Sequence, residues 1–194
     1  MFAEIFPVFC VGCNQFNEFL CNKCTESIKL SSEQTRSGFS FYSAFEYEGI
    51  MATTLSRIKD SHHFGYLRVL AGYLKESFEI EPTTQVLIPP STKKAFRKRG
   101  FEPCYEMAKQ AGWNVKKKLK RVRQTKDQQS LHFRQRQLNQ ENAFQLSEPG
   151  RYLLFDDVVT TGATVREMIR AVESAGGEIV GVLALCSTGP KGAN

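Results

Sequence analysis

RYLLFDDVVTTGAT, Arg151 to Thr164, decides how this 194-residue chain is read. Tyr152 to Phe155 is an apolar run of strand length. Two adjacent carboxylates follow, Asp156 and Asp157, and then a turn of small and hydroxyl residues from Thr160 to Thr164. Val165, Met168, Ile169 and Val172 then recur at helical spacing. The order is strand, acid pair, hydroxyl-and-glycine turn, helix. Free N–H groups at a helix start and the helix dipole both favour an anion. Gly162 lets the backbone approach closely, and the threonine hydroxyls add donors. The acids stand where sugar hydroxyls can donate to them. A phosphorylated sugar is therefore the expected ligand.

DDVVTTGAT resembles the signature loop of the type I phosphoribosyltransferases, which bind phosphoribosyl pyrophosphate (PRPP). The resemblance implies that Asp156 and Asp157 hold the ribose hydroxyls and also carry the catalytic role. It implies that Thr160, Thr161, Gly162, Ala163 and Thr164 cradle the 5′-phosphate, with Mg²⁺ accompanying PRPP. Candidates for the pyrophosphate side follow a second apolar strand ending at Pro89: Ser91, Thr92, Arg97 and Arg99. Arginine suits bidentate phosphate contacts. A solvated helix face or a nucleic-acid patch explains the same arginines equally well.

Near the other end, Cys10-Val-Gly-Cys13 and Cys21-Asn-Lys-Cys24 make two CxxC pairs. Four thiolates on two tight turns suit a tetrahedral structural zinc, with Zn–S distances of about 2.3 Å. Two disulfides are the competing reading. No secretory leader precedes the cysteines, so reduced thiols in the cytoplasm are expected. Cys104 and Cys186 sit in apolar surroundings and read as packing residues.

A four-cysteine knuckle joined to a phosphoribosyltransferase-like domain is similar to the layout of the ComF family of competence proteins. LIPPSTKKAFRKRGFE (Leu87 to Glu102) resembles one segment of that family. RVRQTKDQQSLHFRQRQLNQENAF resembles another, through Arg123, Thr125, Gln128, Arg136, Asn139, Ala143 and Phe144. Glu102-Pro103 departs from the family's usual polar amides there. The resemblance implies handling of incoming single-stranded DNA during natural transformation. It also implies a DNA-translocating helicase or an inner-membrane channel as possible partners, and a cytoplasmic place that extends to the inner membrane face. A metabolic transferase that moves ribose 5-phosphate from PRPP to a base or amine is the alternative.

Charge distribution bears on that choice. Residues 91–136 carry 15 Lys/Arg against 3 Asp/Glu, a local charge of +12. The rest carries 11 Lys/Arg against 17 Asp/Glu, a charge of −6. A basic block on an acidic remainder is the footprint of a polyanion partner. Lys93, Lys94, Arg97, Arg99, Lys120, Arg121, Arg123, Arg134 and Arg136 are its candidate nucleic-acid contacts. Phe96, Phe101, Trp113 and Phe133 lie among the cations, as single-strand stacking requires, though Phe101 and Trp113 individually suit a core better. His62, His63 and His132 lack metal spacing and read as surface residues.

The expected organisation is a knuckle and linker over 1–37 and a phosphoribosyltransferase-like domain over 38–194. That domain is α/β, a mostly parallel sheet flanked by helices. Strands are expected near 39–47, 85–89, 113–119, 151–155 and 178–186. Helices are expected near 49–59, 64–79, 101–111 and 164–175, and residues 120–142 read as a loop or arm. No apolar run is long enough to span a bilayer.

Overall fold

In the computed structural model the described residues are 8–16, 18–30, 34–36, 39–61, 64–122 and 143–188. His62, His63, Arg123, Thr125, Gln128, His132, Phe133, Arg134, Arg136 and Asn139 lie outside them. Two long apolar strands form the centre, β7 (Arg151–Val159) and β8 (Glu178–Ser187). Their centres, Tyr152 to Phe155 and Val182 to Cys186, are unbroken apolar runs, as strands covered on both faces require. They pair in parallel, from Arg151↔Glu178 to Val159↔Ser187. On one side β2 (Phe39–Glu46) joins β8 in parallel, and the short β1 (Gln34–Arg36) closes that edge antiparallel. On the other side β3 (Gln85–Leu87) and β4 (Val115–Lys116) continue the parallel run. The order is β1-β2-β8-β7-β3-β4.

Helices cover both faces, as the expected fold class requires. On one face α2 (Gly49–Ser61), α3 (Phe64–Ser77) and α5 (Pro103–Gln110) pack against Leu153 and Phe155. Phe155 is fully buried and meets the Trp113 ring edge-on at 5.3 Å. Truncating so large a core side chain costs about 3–5 kcal/mol. On the other face lies α6 (Ala163–Ser174), which buries Val165, Met168, Ala171 and Val172. Gly176, at φ 71°, ends this helix, and the Gly177 N–H returns to the Val172 carbonyl. Beside α6, β5 (Leu119–Arg121) and β6 (Phe144–Leu146) make a separate antiparallel pair. Two more short helices are α1 (Asn22–Glu26), in the knuckle, and α4 (Lys93–Arg99), just after β3.

Several expectations are corrected. β7 runs on past Phe155 to Val159, so the acid pair lies inside the strand rather than after it. Pairing with Ala184, Cys186 and Ser187 extends it. The single strand expected over 113–119 is two short ones in different sheets, separated by a turn at 117–118.

The chain doubles back at one point. From β3 it goes outward to β4, then returns to β7 on the far side of β3 and continues to β8. The crevice beyond the carboxyl ends of β3 and β7 is thus the topological switch point, where open α/β sheets bind ligands.

Candidate functional site

The crevice gathers most of the expected residues. Asp156 and Asp157 sit at the carboxyl end of β7 and are 8% and 9% exposed. The turn Thr160 to Gly162 follows, and Gly162 caps α6 at φ 71°. A side chain at that φ would be strained, so glycine suits the tight entry. The Thr161 hydroxyl accepts from the Ala163 N–H at 3.4 Å, and Arg166 donates to the Thr161 carbonyl at 2.9 Å. The turn is therefore braced from within.

Across the crevice, the loop after β3 leads into α4. Thr92 caps α4 by accepting from the Ala95 N–H at 3.1 Å. None of the residues of α4 is buried, so Lys93, Lys94 and Arg97 lie on a solvent-facing turn, with Phe96 46% exposed among them. The loop itself is held from two sides. The Ser91 N–H donates to Glu102 Oε1 at 3.2 Å, and Lys117 pairs with Glu102 Oε2 at 3.1 Å. This contact explains the carboxylate at the position where the ComF resemblance leads one to expect an amide. Arg121 donates through Nε and a terminal nitrogen to the Pro90 carbonyl, both at 3.1 Å, and lies 4.7 Å from the Phe144 ring centre. Arg121 thus clamps a loop, whereas Lys120 beside it is exposed.

Two functional neighbours escaped sequence reading. Lys59, near the end of α2, reaches Asp157 Oδ2 at 2.6 Å. Cys104, on α5, donates to Asp156 Oδ1 at 3.8 Å. Asp156 Oδ1 also accepts the Asp157 N–H at 2.9 Å. Burial, and then the charge of Asp157, push the Asp156 carboxyl up from its usual range to about 7. Lys59 is shifted upward, because the attraction of Asp157 outweighs the opposing effect of burial. Burial and both carboxylates hold the Cys104 thiol well above its ordinary range. One carboxylate of the pair is thus neutralised by an ammonium and the other, near neutrality, by a proton.

The four N-terminal cysteines also come together. Their sulfurs lie within 4.8 Å of one another, with Cys10 and Cys13 each 3.6 Å from Cys21. None of the six cysteines is bridged. A regular tetrahedron with Zn–S of about 2.3 Å has S···S edges of about 3.8 Å, so the donor set fits zinc. Gly12 is required at close quarters, since a Cβ there would stand 2.7 Å from Cys24 Sγ. Burial raises the Cys10 thiol, but hydrogen bonds from the backbone N–H groups of Cys13, Cys21 and Gly12 together outweigh it and bring Cys10 down to about 6. Burial and the neighbouring sulfurs push Cys24 up to about 12. Four such thiols ionise together only around a cation. The knuckle packs on the main core through Val11 and through Phe19, whose ring meets Tyr66 edge-on at 5.3 Å. Tyr66 also donates to the Phe9 carbonyl at 3.2 Å.

A 310 Å³ cavity, lined by Phe144, Leu146, Arg170 and Ala175 among others, lies between α6 and the β5–β6 pair, away from the acids. Among the described residues no helix is long and apolar enough to cross a membrane.

Residues 95–193 match the family model "Phosphoribosyl transferase domain". The chain is 28% identical over 156 residues to "Competence protein ComFC" of Streptococcus pneumoniae, covering 76% of this chain and 68% of that protein. It is 36% identical over 116 residues to "DNA utilization protein YhgH" of Salmonella typhi, covering 55% of this chain and half of the relative. The resemblance drawn from the sequence is borne out by these relatives. Adenine phosphoribosyltransferase from Rhodothermus marinus is a solved neighbour at 25% identity and a TM-score of 0.38, covering 84% of this chain and 83% of that one.

Proposed function

The chain belongs to the phosphoribosyl transferase domain family, and from that premise we propose a DNA-handling protein of natural transformation whose crevice binds PRPP with Mg²⁺. One observation carries the PRPP reading. The acid pair, the hydroxyl turn and the Ser91–Arg99 segment adjoin at the switch point between β3 and β7. Asp156 and Asp157 accept the ribose hydroxyls. Thr160 to Thr164 take the 5′-phosphate on backbone N–H groups and hydroxyls, aided by the α6 dipole. Ser91, Arg97 and Arg99 face the pyrophosphate. Mg²⁺ is a hard cation that prefers oxygen ligands; bound with PRPP it would supply positive charge to the pyrophosphate, and the oxygen donors here suit it. Negative charge growing on departing pyrophosphate would be met by the cations of α4.

DNA handling is supported by the relatives' names, "Competence protein" and "DNA utilization protein", together with the +12 stretch over residues 91–136. Single-stranded DNA would follow the exposed Lys93, Lys94 and Arg97 of α4 and the Lys120 side of β5. The domain division at 37/38 is part of the same proposal, with zinc on Cys10, Cys13, Cys21 and Cys24 holding the first unit. β1, which precedes that boundary, hydrogen-bonds to β2 beyond it, so the two units share a sheet edge.

Calorimetric titration with PRPP and Mg²⁺, with and without a single-stranded oligonucleotide, tests the proposal. Saturable binding of both ligands is expected. PRPP turnover onto a base or amine, without DNA binding, would establish the metabolic transferase in its place.

A further inference from the structure

The last turn of α2 spans the crevice. Lys59 pairs with Asp157 on one wall at 2.6 Å, and the next residue, Asp60, pairs with Lys98 of α4 on the other at 2.8 Å. Consecutive residues of one helix are thus tied to both ligand-facing segments. The two ties differ in setting. Lys98 and Asp60 are both well exposed, so theirs is a weak tether. The Lys59 side chain is 31% exposed and Asp157's is 12%, so that pair is largely withdrawn from water.

Adjacent buried carboxylates repel, and neutral hydroxyl donors offset that repulsion less than a full positive charge does. A site that binds ribose on two such acids is favoured by a cation close by. We infer that Lys59 is that cation, a built-in counter-ion that pairs with Asp157, orients it for a ribose hydroxyl and leaves Mg²⁺ needed only at the pyrophosphate end. Lys59 holds Oδ2, which leaves Oδ1 of Asp157 to accept. Lys59 is a positioning residue, acting through Asp157. The inference rests on reading the acid pair as the ribose site.

Ribose 5-phosphate, which lacks pyrophosphate, separates the two ends. Its binding to the full-length protein is measured by calorimetry in Mg²⁺ and in EDTA, beside PRPP in Mg²⁺. The native protein should bind ribose 5-phosphate equally in both buffers. Lys59→Met should bind it about tenfold more weakly in EDTA, because it leaves a mostly buried carboxylate unpaired. Mg²⁺ should restore part of that loss, and Lys59→Arg should restore most of it in either buffer. A native protein that needs Mg²⁺ for ribose 5-phosphate overturns the inference, whether or not the variants fold. So does an unchanged affinity in Lys59→Met, and so does a tighter one, which would make the ammonium a plug. If PRPP binds in Mg²⁺ in any of these cases, the ribose-site reading survives. If neither ligand binds the native protein, both fall.

Discussion

The knuckle and the crevice are both clusters of ionisable side chains drawn within 4.8 Å, yet they balance charge in different ways. The crevice carries its own compensation, with Lys59 on Asp157 and a proton shared near neutrality by Asp156. The knuckle has four sulfurs with no ammonium or guanidinium paired to them among the described residues. A cluster with an internal counter-charge is folded before its ligand arrives. On the zinc proposal, a cluster without one takes its charge from the ion, and its fold would follow that ion's occupancy. Both pack on the same helical layer of α2, α3 and α5, so the comparison is between two dependences in one core.

Chelation should give the largest effect. Structural zinc contributes about 10–16 kcal/mol in small four-ligand sites at neutral pH, and that binding energy is folding energy. Metal analysis should find about one zinc per chain, as a closed four-ligand site requires. Cys21→Ser should release it and expose the Val11 and Phe19 contacts. Hydrogen exchange over residues 8–30 reports this directly. Metal-free protein with unchanged protection there would erase the contrast between the two clusters.

Removing the acid pair should act on binding and hardly on folding. The Asp156→Asn, Asp157→Asn double variant should lose about a hundredfold or more in PRPP affinity, at about 1.5–3 kcal/mol for each charge-assisted hydrogen bond. Thermal unfolding should move little, since asparagine keeps the volume of each side chain and its amide oxygen can still accept from Lys59. A variant that unfolds would mean that the crevice, like the knuckle, is structurally dependent on its charges.

The same pair predicts a pH signature. Asp156 ionises near 7 in the folded protein and near 3.8 when unfolded. Between those values the folded state holds the extra proton. The contribution of this group to stability is therefore greatest below about pH 4 and falls as pH rises towards 7, by linkage. Ligand affinity should run the other way, since a hydroxyl donates best to the ionised carboxylate. In denaturant titrations from pH 4.5 to 7.5 the native protein should lose stability relative to Asp156→Asn as pH rises. PRPP affinity should rise from pH 6 to 8.

The sheet was legible because its central strands are apolar runs bounded by turns, and the crevice because DDVVTTGAT joins three signals in a fixed order. The boundary of β7 was not, since its last four residues are strand by pairing with β8, which composition does not record. Nor were the bounds of α4 legible, although a solvated helix face is one reading of its arginines. KKAFRKR has no apolar period, and its ends are set by the Thr92 cap and by Gly100 at φ 75°. Lys59 and Cys104 reach the acids only after α2 and α5 pack on the sheet. Lys59 lies in the helix expected near 49–59 with no motif around it to mark it, and Cys104 reads as a packing residue. Cys104 is indeed buried in the core, but its sulfur also touches Asp156. Arg121 was grouped with the DNA cations on charge alone, while its hydrogen bonds place it on Pro90.

That last distinction supplies the smallest effect and a sharper form of the opening contrast, now between two arginines of one basic stretch. Arg97 is exposed on α4, and Arg121 is half-buried with its guanidinium on a carbonyl and an aromatic ring. If about four phosphates are contacted, log K for single-stranded DNA should fall against log salt with a slope near −3, at about −0.7 per phosphate. Arg97→Ala should weaken all oligonucleotides alike and make the slope shallower by about 0.7, because a phosphate contact carries no sequence information. Arg121→Ala should leave the slope unchanged and instead destabilise the loop after β3 by about 1–2 kcal/mol, the range for a lost hydrogen bond to a partly buried carbonyl. Filter binding across a salt series, paired with denaturant titration, reads both quantities. Equal slopes for the two variants would mean that the stretch acts as one diffuse field, and that the clamp on Pro90 gives way when DNA arrives.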